Sequence, residues 1–206
     1  MITALRRPLE RVPLGKLAFE LFLVFVAVSA ALFANAWWQE RQVAGRGQAA
    51  IAAFAAEMRR NQAQITERID HHREVAANAK ELLRELAAGA TLPADVDQLR
   101  NRLTAGKGMR TPLLSRAAWD SALIAGAAAE IPFATVLQVA EVYEVQRRLD
   151  GVLGGLIANF TSPTYFEAGH MSATVTAFAV TFSMIVELET DQLAGYERCL
   201  ATLAGG

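Results

Sequence analysis

The sequence predicts an all-α protein with one N-terminal transmembrane helix followed by an antiparallel helical bundle. Three observations carry this. A nearly charge-free apolar run, Leu17 to Trp38, is preceded by Arg6, Arg7, Arg11 and Lys16. Beyond it, apolar residues recur at steps of three and four over long stretches, the period of a helix with one buried face. Gly89, Gly106, Gly108 and Pro132 punctuate those stretches as helix ends require.

The apolar run comes first. At a helical rise of ~1.5 Å per residue its 22 positions span ~33 Å, which matches a hydrocarbon core of ~30 Å. Leu17, Leu23, Phe25, Leu32 and their apolar neighbours sum to about −3 to −7 kcal/mol on the insertion scale. Glu20 opposes insertion by roughly 3 kcal/mol at most, and in the first turn it can reach the headgroups or pair with Lys16. Insertion wins. Trp37 and Trp38 close the run where interfacial aromatics belong.

Four basic residues precede the run, and Arg41 and Arg46 alone follow it closely, so the positive-inside rule puts the N-terminus in the cytoplasm. The expected organisation is a basic cytoplasmic head (1–16), a transmembrane anchor (17–38) and an exported helical domain (39–206). A rival reading uses the same residues: Ala34-Asn35-Ala36 fits a signal-peptide cleavage site before Trp37. The interfacial tryptophans and the extra turn at Leu17 to Phe19 favour the anchor. Either reading exports the remainder.

The head carries +3, while 16 basic and 19 acidic residues beyond the run give −3. That balance does not suggest a nucleic-acid surface. Cys199 is the sole cysteine, so no disulfide can form within the chain, and its position near the end of the last helix suggests a buried small residue.

The first exported helix follows Ile51, Phe54, Met58, Ile65, Val75, Ala79, Leu82 and Leu86, with Asn61, Arg68 and His72 in the intervening seam positions. Three polar seam residues argue against a two-stranded coiled coil and for a bundle with polar contacts. Gly45 and Gly47 are a place for a bend near its start, and Gly89 ends it. A short connector helix, Ala94 to Leu103, follows Pro93. Thr111-Pro112 offers an N-cap and a proline at N1 for a helix through Trp119 toward Ala129, which Pro132 stops. The next helix runs from Phe133 to Leu149 and continues past Gly151 to Phe160. Thr161-Ser162-Pro163-Thr164 reads as a loop, and Ser172 to Leu203 as the last helix. Its charge-free part, Met171 to Val186, reaches only ~24 Å and carries five hydroxyl residues, so a core helix is favoured over a second span; alternation at Phe178 to Met184 leaves a strand as the weaker option.

Chemistry-bearing clusters are few. Glu67 and His71 share a helix face, but His72 points about 100° away and the residues three before the two histidines are Arg68 and Ile69 rather than the glutamates of a dimetal bundle, so a solvated polar face is expected and no metal. Asp120, Ser121 and His170 have no G-x-S-x-G turn around them. Gly151, Gly154 and Gly155 lack the strand and lysine of a phosphate loop. Trp119 and Tyr143 read as core anchors. No catalytic residue and no cofactor is expected.

Trp38-Gln39-Glu40-Arg41 at the membrane exit, Glu57-Met58-Arg59-Arg60-Asn61 on the following helix, the stretch Ala118 to Gly126 with Trp119, and downstream Tyr143 resemble a set of uncharacterised bacterial single-span membrane proteins. The resemblance implies an inner-membrane protein with a helical periplasmic domain. It implies no activity. The expected role is a non-enzymatic interaction or scaffold protein that touches membrane lipid and either self-associates or docks to another envelope protein, with Ile51, Phe54 and Met58 as the contact stripe. A sensory or small-ligand-binding module acting through a partner is the alternative.

Overall fold

A computed structural model describes residues 14–161 and 167–205, and every regular element among them is helical. The long helices are α1 (Leu14–Ala87), α4 (Phe133–Thr161) and α5 (Met171–Gly205), and the short ones α2 (Val96–Thr104) and α3 (Ala117–Ile124). The basic head up to residue 13 and the loop residues Ser162 to Thr164 lie outside the described residues. The chain divides into two compact units, Met1–Gly45 and Arg46–Gly206.

The first unit is the beginning of α1. Its large apolar side chains from Leu17 to Trp38 are all exposed, up to 82% at Phe33. Arg41 lies over the Trp37 ring, 4.4 Å from its centroid, and no ion pair joins Glu20 to Lys16 among the described residues. Two helical stretches are long and apolar enough to cross a membrane, Gly15–Gln39 and Met171–Gly205. They differ in surroundings: none of the first is buried, against 39% of the apolar window of the second.

The second unit is built on three long helices. Glu57 and Asn61 of α1 meet Tyr143 and Gln146 of α4, so residue numbers rise together and these two helices run parallel. Val142 meets Gln192 and Phe160 meets Phe178, so α5 is antiparallel to α4 and therefore to α1. The antiparallel bundle read from sequence is thus corrected at one pair. The reason is the connection: residues 88–132 carry the chain back to the end where α1 entered the unit, so α4 starts again in the direction of α1.

The core is the seam the periodicity marked. Phe54, Met58, Ile65, Val75, Ala79 and Leu82 of α1 pack with Val139, Leu149, Val175, Phe178, Phe182 and Ile185, all buried. This places α5 in the core as a helix and removes the strand option for Phe178 to Met184. Trp119 and Tyr143 stack at 5.7 Å, and Cys199 is buried, both as expected.

Boundaries follow local chemistry. Asp95 caps α2 by accepting from Asp97 N–H, Ala105 ends it in the left-handed region, and Gly89 takes φ +88 after α1. The helix expected from Thr111 starts instead at Ala117 and ends at Ile124, followed by a 3₁₀ turn, Ala127–Glu130. Residues 111–116 are held out of the helix by α1. Gln64 Oε1 accepts from Leu113 N–H at 3.0 Å, and the Asn61 amide both donates to Ser115 O (2.7 Å) and accepts from Ser115 N–H (3.0 Å). These long-range bonds outweigh the local cap signal.

Candidate functional site

The polar seam of α1 organises three features of the second unit. The first is a buried hub around Glu57. Its carboxylate accepts from Ser115 Oγ (2.6 Å), Ala118 N–H (3.0 Å) and Tyr143 Oη (2.7 Å). A carboxylate with three donors is well satisfied, and the Ala118 contact places it at the N-terminal turn of α3, where negative charge is favoured. Burial, reinforced by the Glu57 carboxylate, holds the Tyr143 phenol well above its ordinary range. Gln146 extends the network: Oε1 accepts from Tyr196 Oη at 2.8 Å and Nε2 donates to Ser115 O at 3.1 Å. Each group here is a partner to another, so the hub fixes α3 and residues 111–116 on α1.

The second feature is the histidine pair. His72 is fully buried, with Nδ1 2.9 Å from Glu189 Oε1 and Nε2 3.2 Å from Met109 O. The Met109 carbonyl is an acceptor for Nε2–H, and Nδ1 pairs with the Glu189 carboxyl. Phe182 packs on the imidazole at 5.6 Å. His71 Nε2 donates to Gly108 O at 2.7 Å, and Glu74, 3.6 Å from His71 Nδ1, is held below the ordinary carboxylate range mainly by its hydrogen bond to Lys107. The expected solvated face is corrected: His71 and His72 lie inside, pinning the loop after α2. Glu67 turns away to Arg68 and Arg110, and among the described residues no group of three metal-ligating side chains forms.

The third feature is a groove of about 680 Å³ between α1 and α3. Nine of its fourteen lining residues are alanines, so the floor lies close to the helix backbones. Arg46 and Arg60 stand along its α1 side, exposed and without an ion pair among the described residues. Ser121 and Ala125 face them from the α3 side.

The predicted contact stripe lies elsewhere. Phe54 and Met58 are completely buried, Phe54 against Trp119 at 5.8 Å, and Ile51 is half-buried against the core. The stripe is the unit's inner face. The outward face of the same stretch is the alanine series of exposed Ala49 and Ala53 and half-buried Ala56, which carries little periodic signal in the sequence. Of the anchor residues, Leu17, Leu23, Phe25, Leu32, Trp37 and Trp38 are exposed together on the first unit, with Glu20 in its early turns. No family model matches the chain, and neither a curated protein nor a solved structure does.

Proposed function

We propose that this is a single-pass bacterial inner-membrane protein, N-terminus in the cytoplasm, whose helical periplasmic domain is a non-enzymatic interaction module. The apolar exposure of Leu17 to Trp38, beside a second unit that buries its own apolar stripe, supports the anchor. The observation that carries the interaction reading is the α1–α3 groove. Its alanine floor lets another helix approach closely, and the exposed guanidiniums of Arg46 and Arg60 select a helix bearing acidic residues.

Photo-crosslinking from Ala53 in native membranes tests this. An adduct to one defined species, either a second copy or another envelope protein, is expected, and it is lost in the Arg46→Glu/Arg60→Glu double variant. Absence of any adduct from Ala53 and Ser121 alike contradicts the groove as a docking seat.

One observation favours the alternative of a small-ligand module. A cleft of about 330 Å³ between α4 and α5 is lined by Glu141, Asp191, Gln192 and Arg198, and the buried Gln192 Oε1 finds no hydrogen-bond partner among the described residues. A cationic amine would suit that acceptor and the two carboxylates. Thermal stabilisation of the full chain by a small diamine, lost in Asp191→Asn, would support that reading over the first.

A further inference from the structure

The turn between α3 and α4 has an unusual surface. From Ser121 to Ala140, eleven residues are exposed and only one of the twenty is charged, Glu130. Exposed surfaces of soluble domains ordinarily carry charge at about a quarter to a third of positions. Ile124 is 89% exposed and Phe133 79% exposed, on either side of the turn, with Leu137 one helical turn beyond Phe133. Large apolar side chains displayed where Glu130 alone carries charge within the turn, with Asp120 and Glu141 at its margins, mark a surface that something apolar covers.

The position of this turn in its own unit says what covers it. Glu130 lies on the helix backbone at Gly47, where a Cβ would stand 2.9 Å from the Glu130 carbonyl oxygen. The exposed apolar turn therefore sits where the chain enters the second unit, at Arg46 and Gly47. Gly47 follows Trp38 by nine residues, a leash of about 14 Å if helical and about 32 Å if extended. The far end of the unit differs: Lys80, Glu81, Arg84, Glu85 and Arg102 supply charge there.

We infer that the α3–α4 turn is a lipid-surface contact, with Ile124 and Phe133 seated in the interfacial region of the bilayer that holds the anchor. This rests on the membrane-anchor reading. Apolar side chains of this kind enter the boundary between headgroups and acyl chains, and a leash of nine residues keeps them at that surface without any further affinity.

The test uses the full chain with Cys199→Ser, reconstituted into phosphatidylcholine–phosphatidylglycerol vesicles. Single cysteines replace Ile124, Phe133, Val26 or Lys80 and carry an environment-sensitive fluorophore. Labels at 124 and 133 are expected to show blue-shifted emission, loss of emission with brominated lipid, and protection from aqueous iodide, with label 80 quenched by iodide and label 26 by brominated lipid. If labels 124 and 133 behave like label 80 while label 26 responds to brominated lipid, the lipid contact is overturned and the anchor stands. If label 26 also fails to respond, the anchor falls and the contact with it. If labels 124 and 133 are shielded without bromine quenching, and the shielding grows with protein density, a second copy covers the turn and the proposal is overturned.

Discussion

Asp150 on α4 shows how one side chain sets a pH dependence. Burial raises its carboxyl above the ordinary carboxylate range, and Arg116 and then Gln146 oppose that less strongly. A carboxyl whose folded pKa is raised contributes stability below its unfolded pKa and loses that contribution as pH rises through the folded value. Asp150→Asn should therefore raise the melting temperature at pH 7, and the gain should shrink as the pH falls through the raised folded value and be gone below about 4. Melting of the two full-length proteins across that range checks it; an equal gain at every pH would show that Asp150 acts by packing alone. Cys199 follows the same physics from the thiol side. Burial pushes it up to about 11, so it should resist alkylation at pH 8 in the folded protein and react once the chain is unfolded. A thiol titration with and without denaturant reads this directly.

At the scale of elements, α1 carries most of the specification. A Cβ added at Gly45 meets nothing within 4 Å among the described residues, so Gly45→Ala should stabilise the helix by up to about 1 kcal/mol, the propensity difference. Gly47→Ala adds the same propensity but drives a methyl onto the Glu130 carbonyl, so it should lower the melting temperature; equal shifts in the two variants would mean that the α3–α4 turn does not rest on Gly47. The His72–Glu189 pair holds α1, α5 and the loop after α2 together. Removing one partner from a fully buried pair costs about 3–5 kcal/mol, so His72→Ala should destabilise by that order, measured by denaturant melting. Phe54→Ala should cost about 3–5 kcal/mol as a core truncation.

Much of this was readable from the sequence, and the exceptions have a common cause. The hydrophobic stripes of α1, α4 and α5 and the stop at Gly89 depend on residues a turn or two apart, so period and turn chemistry reveal them. The histidine face was misread because the partner of His72 lies 117 residues away on α5, where Glu189 looks like one more surface carboxylate. Thr111-Pro112 was misread for the same reason, since Asn61 and Gln64 hold the segment from across the unit. Phe54 was assigned to a partner surface because its sequence neighbours are alanines; Trp119, supplied by α3, covers it. The groove rests on alanine backbones and two exposed arginines without an ion pair among the described residues, and only the fold brings those together.

Across the whole molecule, two distributions of apolar surface need different explanations. The second unit places Phe54, Leu82, Phe178 and Phe182 inside and closes over its polar seam by hydrogen bonds, the pattern of a domain in water. The first leaves Leu17 to Trp38 exposed on a single helix, a surface that water would penalise and a bilayer would accept. Under the proposed anchor, a protein divided in this way would hold its folded domain at a membrane surface, and the two proposed contacts there, with a helix in the α1–α3 groove and with lipid at the α3–α4 turn, depend on that anchor. The most direct test of that central claim is alkaline carbonate extraction of membranes containing the full-length chain, with the N-terminus of the recovered protein determined by mass. The account predicts a chain retained in the membrane pellet that still carries Leu17 to Trp38; a soluble chain beginning at Trp37 would contradict it.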